Sequence, residues 1–352
     1  MINSTQIALI LKINFGWEFA MIKIGQIGIG HNHAAGKMET VRALPELFEV
    51  IGYAEENEEW VEKRGNRDCY KDLPRLTVEE LIEKCDAILV ECDVWNSTKV
   101  AQMCIDAGKH IHMDKPASGT LAEFKHLLDT AKENELIVQL GYLHRYTPAT
   151  QEILQRIKDG KMGQIMSINA EMSTCHPDSY RQWLQNFDGG IMYILGSHLI
   201  DLIVYILGKP QKIHSYLKCS CLNDICVPDN TFALLEYERA LARVFVSSVE
   251  VNGFGRRQFV VSGSEATASI CPLGNPLTLT WSDKTIADKI YADRKETIEV
   301  KEPWLYESMM REFYSYIVGE KENPFPYEHE YAAQEVLMQI VQENQCAEQN
   351  KA

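Results

Sequence analysis

Met21-Ile-Lys-Ile-Gly-Gln-Ile-Gly-Ile-Gly-His-Asn-His-Ala-Ala-Gly36 decides the fold, because a run rich in isoleucine stops abruptly at the turn Gly28-Ile-Gly30. The pattern predicts a buried strand that leads directly into a helix. At such a turn the first free N–H groups of the helix and the positive end of its dipole point outward, where a pyrophosphate can bind. Glycine lets the phosphates approach the backbone closely. This segment alone fits an ordinary turn equally well, so the segments that follow must decide.

The segments after this turn alternate between helix and strand patterns. Helices are predicted over residues 34–44, 78–84, 97–107 and 121–134, and strands over 48–55, 87–90, 109–112 and 136–140. Repeated units of this kind require a parallel sheet with right-handed crossovers. The sequence therefore predicts a doubly wound, Rossmann-type domain over residues 21–144, preceded by an N-terminal extension over residues 1–20.

Beyond residue 144 the pattern changes. Strands are predicted over residues 165–172, 213–219, 232–237, 242–249, 258–262 and 277–281, and helices over 150–159, 191–207, 306–318 and 328–345. Because these strands follow one another with few helices between them, they predict a large, mostly antiparallel open sheet. The predicted fold class is therefore α/β with two domains, of which the second covers residues 145–352.

The composition is that of an ordinary globular protein, and it excludes some partners. The chain has 352 residues, of which 45% are hydrophobic, and a formal net charge of −15. This charge repels phosphate backbones and anionic membrane surfaces, so neither a nucleic acid nor a membrane is a predicted partner. The apolar run over residues 7–11 lacks the flanking charge and cleavage site of a signal peptide, and it is too short to span a bilayer. We therefore expect a cytoplasmic protein.

The ten cysteines are scattered through strand and helix patterns of a long chain. This distribution predicts reduced thiols rather than a disulfide framework. Cys219, Cys221 and Cys226, with His214 upstream, lack the close and regular spacing of a metal site. Thiols at alternating strand positions are the preferred interpretation, and no metal is expected.

Glu55 stands at the end of the second predicted strand, close to the sequence interval at which an acid meets the adenosine ribose of a dinucleotide. A carboxylate there accepts hydrogen bonds from both ribose hydroxyls and repels a 2′-phosphate. Glu55 therefore favours NAD over NADP, although Glu56 could share the role. The third small residue expected after the glycine pair is replaced by His33, which predicts that His31 and His33 face the pyrophosphate or the active site.

Several motifs follow in a fixed order. They are Gly28-Ile-Gly30, Gly52-Tyr-Ala-Glu55, Ala107-Gly-Lys-His-Ile-His-Met-Asp-Lys-Pro116, Gly141-Tyr-Leu-His-Arg-Tyr146, Gly189-Gly190 and Gly196-Ser-His198-Leu-Ile-Asp201. From about Met21 to the C-terminus the chain thereby resembles the glucose-fructose oxidoreductase and inositol dehydrogenase family, Gfo/Idh/MocA. The resemblance implies an NAD-binding domain and a second domain whose open sheet lines the substrate site on one face. The other face of that sheet would form a homodimer or homotetramer.

The resemblance also assigns roles to individual residues. Lys115 is the lysine of the Glu-Lys-Pro motif, where an ammonium stabilises the alkoxide that forms as hydride departs. His198 matches the family's catalytic or substrate-binding histidine, and an imidazole can take the hydroxyl proton at neutral pH. The implied cofactor contacts are Gly28, Gly30, His31, Asn32, His33, Glu55, Cys92, Trp95 and Lys115. The implied substrate ligands are His144, Arg145, Tyr180, Arg181 and Asp201.

Two departures from the family pattern bear on the reaction. Many members carry an aspartate one helical turn before the histidine, and here that position is Ile194. An apolar neighbour tends to keep the imidazole neutral, and Asp201 could substitute for the missing acid. The segment that often reads Thr-Pro-x-x-x-His is Cys92-Asp-Val-Trp-Asn-Ser97, in which Trp95 could stack on a sugar or cover the nicotinamide.

Three functions remain open from the sequence. The first is an NAD-dependent oxidoreductase that oxidises a secondary alcohol of a sugar, cyclic polyol or related polyhydroxylated substrate. The second is a redox-neutral sugar lyase or glycosidase, in which bound NAD oxidises one carbon transiently and then returns the hydride. The third is a catalytically degenerate NAD-binding sensor or assembly subunit, which the loss of the aspartate at Ile194 favours and the presence of Lys115 and His198 opposes.

Overall fold

Two β-sheets organise the chain. The computed structural model describes residues 21–274, 277–300 and 306–349, and the predicted extension over residues 1–20 lies outside them. The first sheet has five strands in the order β2-β1-β3-β4-β5, and all of its pairings are parallel. Its strands are β1 (Ile22–Ile27), β2 (Phe48–Ala54), β3 (Ala87–Val90), β4 (His110–Met113) and β5 (Val138–Leu140). The predicted doubly wound sheet is confirmed.

Five helices connect these strands. They are α1 (Ala34–Arg42), α2 (Glu58–Arg64), α3 (Val78–Lys84), α4 (Ser97–Asp106) and α5 (Leu121–Glu133). Thr77 and Thr120 begin α3 and α5 with reciprocal side-chain and backbone hydrogen bonds to the glutamate three residues on, which fixes where each helix starts. The sequence prediction missed α2, which buries none of its residues and so has no apolar periodicity to reveal it.

The second sheet has eight strands in the order β13-β12-β11-β10-β6-β9-β8-β7. These are β6 (Ile165–Glu171), β7 (Lys212–Cys219), β8 (Pro228–Glu236), β9 (Leu241–Ser247), β10 (Gln258–Gly263), β11 (Ala266–Ile270), β12 (Leu279–Asp283) and β13 (Glu296–Ile298). Among these strands only β6 and β9 pair in parallel, so the predicted antiparallel sheet is confirmed. The prediction missed β11 and β13.

The helices of the second half divide between the two sheets. They are α6 (Pro148–Lys158), α7 (Asp178–Leu184), α8 (Ser197–Leu207), α9 (Glu307–Ile317) and α10 (Tyr327–Gln349). Leu199 and Ile203 of α8 belong to the core under the second sheet. Met310 and Phe313 of α9 instead pack with Ile24 of β1, so α9 returns to the first domain.

The helix predicted over residues 191–207 is divided. A π-helical turn over Met192–Gly196 precedes α8, and such wide turns occur often at functional sites. It places Ile194 in the turn and His198 near the start of the regular helix. The site described below lies at this junction.

The cysteine prediction needs a correction. Cys221 and Cys226 form a disulfide, because the short turn Leu222–Asp224 after β7 brings their Cα atoms to 4.3 Å. The prediction that these thiols are reduced was therefore wrong for this pair.

Among the described helices, none is long and apolar enough to cross a bilayer.

Candidate active site

The glycine turn lies where β1, β2 and β3 end. Gly28 has φ +87°, and a Cβ atom there would lie 2.3 Å from the Cα atom of Cys92, so no larger residue fits. Its N–H donates to the carbonyl of Ala54, over 2.8 Å. At Gly30 a Cβ atom would lie 2.7 Å from the indole nitrogen of Trp60. The turn is therefore packed tightly between the ends of neighbouring strands.

Glu55 contacts this turn directly. One of its carboxylate oxygens accepts a hydrogen bond from the N–H of Ile29, over 2.8 Å, and the other accepts from the N–H of Asn57, over 2.9 Å. A cavity of about 390 Å³ opens beside it, and its lining includes Gly28, Glu55 and Cys92. The structure thus brings three predicted cofactor residues together around a space of the volume that small-molecule sites have.

A second cleft lies on the other side of the turn, between the two domains. It has a volume of about 560 Å³ and is lined by Gly30, His31 and Asn32 on one side and by Tyr180 of α7 on the other. Arg64 lines it too, donating to the carbonyls of Gly30 and His31 over 2.8 and 2.7 Å. The sequence analysis did not identify Arg64, because α2 carries no motif.

A buried ion cluster lies beneath His31 and His33. The ammonium of Lys37 donates to carboxylate oxygens of Glu91 and Asp114, each over 2.6 Å. The Nδ1 atom of His33 lies 2.8 Å from Asp114 Oδ2, and that of His31 lies 3.1 Å from the same oxygen. The two imidazoles therefore contact Asp114, which immediately precedes Lys115.

Burial and charge set the protonation of this cluster. Burial lowers the pKa of His31 to about 4, and burial raises the pKa of Glu91 to about 8. Burial opposes the charge of Lys37, but Asp114 and Glu91 outweigh it and raise the lysine pKa. His31, His33 and Asp114 also offer metal-ligating atoms close together. The Lys37 ammonium already binds the shared Asp114 oxygen, so this arrangement favours an internal ion pair over a metal ion.

Sequence analysis missed Lys37, although a signal was present. In α1 it lies three residues after Ala34 and four before Val41, on a face whose other members are buried. A lysine on an apolar helix face requires a buried carboxylate partner. The two partners come from the ends of β3 and β4, and the sequence does not show that they meet.

Lys115 is buried between the two domains. Its ammonium donates a hydrogen bond to the backbone carbonyl of Ile194, over 2.8 Å. Burial is the main cause that lowers its pKa to about 8, while Asp114 opposes the shift. A lysine in this state can hold or release a proton close to neutral pH.

His198 lies on α8 beside this lysine and is also buried. Its ring centroid is 5.0 Å from that of His144, and the two rings are nearly perpendicular. The Nδ1 atoms of both histidines lack a hydrogen-bond partner among the described residues. Burial, with the charge of Lys115 as the next cause, holds the pKa of His198 well below its usual value. The ring is therefore neutral and has a lone pair to accept a proton.

Three predicted substrate ligands, Arg145, Arg181 and Asp201, form ion pairs with other side chains of the protein. Arg145 donates two hydrogen bonds to Asp201, over 2.8 and 2.5 Å, and two to Glu330, over 2.6 Å each. Arg181 donates to Asp229, over 2.9 Å. All three carboxylates are buried, so these contacts stabilise the fold and leave little of either guanidinium for a ligand.

The remaining predicted residues divide between the cleft and a separate surface. Tyr180 lines the cleft, and its ring stacks on His176 with 3.9 Å between the centroids. Trp95 is 48% exposed and lines a different cavity, which it shares with Phe187. The structure therefore does not bring Trp95 to the cavity beside Glu55.

Comparisons with protein families match the first domain and the first part of the second. A model described as an oxidoreductase family with an NAD-binding Rossmann fold, Gfo/Idh/MocA, matches residues 18–142. The model of the Gfo/Idh/MocA C-terminal domain matches residues 150–269. Both halves of the chain thus match one family in the same order.

Curated relatives are distant and align over part of their length. An oxidoreductase of Schizosaccharomyces pombe, named as uncharacterised, is 25% identical over 206 residues, which cover 56% of this chain and 55% of that protein. The myo-inositol 2-dehydrogenase of Thermotoga maritima is 26% identical over 200 residues, covering 53% of this chain and 55% of that enzyme. The chain thus spans a little more than half the length of these relatives.

Solved structures share the fold over most of the chain. An oxidoreductase from Desulfitobacterium hafniense, named as NADPH-dependent, has a TM-score of 0.78 at 20% identity, over 92% of this chain and 95% of that chain. Levoglucosan dehydrogenase in complex with NADH and levoglucosan has a TM-score of 0.77 at 18% identity, over 93% of this chain and 98% of that chain. At these identities the likeness shows the architecture alone.

Proposed function

The chain belongs to the Gfo/Idh/MocA oxidoreductase family, and from this premise we propose an NAD-dependent dehydrogenase that oxidises a secondary alcohol of a sugar or cyclic polyol. One observation carries the proposal: the buried ammonium of Lys115 donates to the carbonyl of Ile194, four residues before the buried His198. This pairs a cation that stabilises an alkoxide with a base that accepts the hydroxyl proton. Relatives are named as a myo-inositol 2-dehydrogenase and a D-glucoside 3-dehydrogenase, which supports the substrate class.

The residues around the glycine turn fit a dinucleotide. The N–H of Ile29 and the start of α1 suit the pyrophosphate, and the cavity lined by Glu55 and Cys92 suits the adenosine. Bound NAD supplies the hydride acceptor. The Glu55 carboxylate favours NAD over NADP, because it would repel a 2′-phosphate. Initial rates with each cofactor test this preference, and equal kcat/KM values would contradict it.

The chain's own residues then handle the proton and the charge. Lys115 donates a hydrogen bond to the substrate oxygen and stabilises its developing negative charge. His198 accepts the hydroxyl proton on its imidazole ring, which burial keeps neutral. Its neutral state makes it ready to act as a base without prior deprotonation.

A redox-neutral reaction is the second candidate, because Ile194 replaces an acid that many family members carry. Without that acid His198 has no carboxylate to take its proton onward, so chemistry that returns the hydride is compatible with the site. A degenerate NAD-binding sensor or assembly subunit is the third candidate. The presence of both Lys115 and His198 argues against it.

One experiment separates the three candidates. The purified protein is incubated with NAD and a panel of polyols, sugars and glycosides, and reduced nicotinamide and sugar products are both measured. Net reduced cofactor supports the dehydrogenase, product without reduced cofactor supports the redox-neutral reaction, and nucleotide binding without any product supports the sensor. Lys115→Met should abolish turnover and retain NAD binding, whereas full turnover in that variant would contradict the assignment.

We also propose a homodimer or homotetramer that forms through the open sheet face. Tyr216 of β7 and Leu241 of β9 are 55% and 51% exposed on the second sheet, and exposed apolar side chains on one face favour association. Light scattering after gel filtration should give two or four times 40.2 kDa. A monomer at micromolar concentration would contradict this proposal.

A cytoplasmic location remains a prediction from the sequence.

A further inference from the structure

Arg257, which immediately precedes β10, lies near the proposed site and has no acidic partner. Its Nε atom donates to the carbonyl of Ser173, over 3.1 Å, and its Nη2 atom donates to the hydroxyl of Thr174. Both acceptors are neutral. Its Nη1 atom forms no hydrogen bond with the described residues, and the side chain is only partly exposed.

Other arginines of this region are paired with carboxylates. Arg145 binds Asp201 and Glu330, and Arg181 binds Asp229. Arg256, the direct neighbour of Arg257, binds Glu171 and Glu250. Arg257 therefore differs from these arginines in carrying a positive charge that no carboxylate of the described residues neutralises through an ion pair.

The unpaired charge acts on the residues of the proposed site. Burial, and then the charge of Arg257, lowers the pKa of His144 to about 3 and that of His176 to about 4. Arg257 also contributes, after burial and other charges, to the lowered pKa of Lys115. Contacts also place Arg257 near the cleft, because it donates to Thr174, two residues before His176, and the His176 ring stacks on the cleft residue Tyr180.

The charge balance of this region points to an anionic ligand. Asp114, the carboxylate next to Lys115, binds Lys37 and faces His31 and His33. Neither Lys115 nor Arg257 forms an ion pair with the described residues, and the Arg257 guanidinium stacks only on the neutral ring of Phe254. Partly desolvated cations without an ion pair raise the free energy of the protein, and a bound anion would offset that cost. The overall charge of −15 repels an anion at long range, so its binding requires such local cations.

We propose that the substrate of this protein carries a carboxylate, which Arg257 binds while the reacting hydroxyl lies against Lys115 and His198. The inference rests on the proposed dehydrogenase function and narrows its substrate class to sugar acids and carboxylated polyols. A carboxylate fits because Nη1 and the second hydrogen of Nη2 form the flat fork that binds two carboxylate oxygens. The carboxylate takes no part in the bond changes. The carbinol hydride goes to NAD and the hydroxyl proton goes to His198.

The test compares matched substrates and matched variants. Kinetics are measured with NAD on three carboxylates, glucuronate, galacturonate and gluconate. Glucose, galactose and sorbitol are their uncharged counterparts, and glucose 6-phosphate tests for a phosphate ester. We expect kcat/KM for at least one carboxylate to exceed that for its counterpart by on the order of 10- to 100-fold. Arg257→Gln should raise KM for that substrate by a similar factor, with a smaller change in kcat, and Arg257→Lys should restore part of the affinity.

Arg256→Gln is the control, because it removes the same charge one residue away. It should leave KM for the carboxylate nearly unchanged. Preference for an uncharged substrate, preference for the phosphate ester, or an equal loss on both substrate types in Arg257→Gln would overturn the inference while the dehydrogenase assignment stands.

Calorimetric titration of the NAD-loaded protein gives an independent measurement. Binding of one panel carboxylate that weakens at least tenfold in Arg257→Gln, and not in Arg256→Gln, supports the anion site even when no cofactor is reduced. In that case only the dehydrogenase assignment fails. If none of the panel carboxylates shows Arg257-dependent binding, the inference is overturned.

Discussion

The ammonium of Lys115 donates a hydrogen bond to the backbone carbonyl of Ile194, over 2.8 Å. The side chain of Ile194 is apolar, so at this position the lysine meets a carbonyl dipole and no side-chain charge. A dipole stabilises the ammonium less than a carboxylate would. Burial therefore lowers the pKa of Lys115 to about 8, with no side-chain charge at position 194 to oppose it, and burial keeps the nearby His198 neutral.

The pH dependence of oxidation should report this lysine. If the ammonium stabilises the alkoxide, kcat/KM falls as pH rises through about 8, because Lys115 loses its proton there. A surface lysine would titrate roughly two units higher. Rates from pH 6 to 10 with saturating NAD test the prediction. The fall should be absent in Lys115→Arg, whose guanidinium stays charged, and a fall only above pH 10 in the unmodified protein would contradict it.

Restoring an acid at position 194 should change the profile. In Ile194→Asp a carboxylate stabilises the charged forms of both His198 and Lys115, so both pKa values rise. We expect activity to decrease on the acid side, as His198 becomes protonated, and the alkaline fall to move to higher pH. Ile194→Asn, which has the same shape without the charge, is the control. Identical profiles for the two variants would refute the electrostatic explanation.

Removing the cation of the buried cluster should destabilise the protein strongly. Lys37→Met leaves Glu91 and Asp114 without their shared partner, and breaking a buried ion pair costs about 3–5 kcal/mol. The free energy of unfolding in urea measures this loss. Lys63→Met, at an exposed ion pair with Glu59, should cost less than about 1 kcal/mol. Similar losses in both variants would show that the cluster contributes no special stability.

Arg145 should behave as a structural residue. Arg145→Met leaves Glu330 buried without its ion-pair partner and Asp201 with His329 alone, so we expect a loss of about 3–5 kcal/mol in the free energy of unfolding. Arg239→Met, in an ion pair with the exposed Glu238, should lose less than about 1 kcal/mol. A variant of Arg145 with unchanged stability and a greatly raised KM would instead make it a substrate ligand.

The regular periodicity of the chain explains why its architecture was predictable. β1 and the helices with one apolar face could be located from local patterns. By contrast, α2 buries none of its residues and α7 buries two, so neither leaves a clear pattern. The pairing of Arg145 with Asp201 joins positions far apart in the sequence, so nothing in either motif distinguished an internal ion pair from ligand binding.

Position 194 shows the same limit in another form. The apolar side chain was visible in the sequence, but the hydrogen bond from Lys115 goes to the backbone carbonyl of this residue, which the sequence does not reveal. The sequence did not identify Arg257 as a candidate site residue for a related reason. Its adjacent sequence neighbour Arg256 has carboxylate partners, and only the folded chain shows that Arg257 lacks them.

The hydrogen bond from the N–H of Ile29 to Glu55 has a consequence for cofactor affinity. The same carboxylate is expected to bind the ribose, and the same N–H is expected to bind a phosphate oxygen. When the cofactor binds, the hydrogen bond between Ile29 and Glu55 therefore breaks, and each of the two groups forms a hydrogen bond with the cofactor instead. The Glu55 carboxylate thus competes with the cofactor phosphate for the N–H of Ile29. The net gain in binding free energy is therefore smaller than the new contacts alone would give.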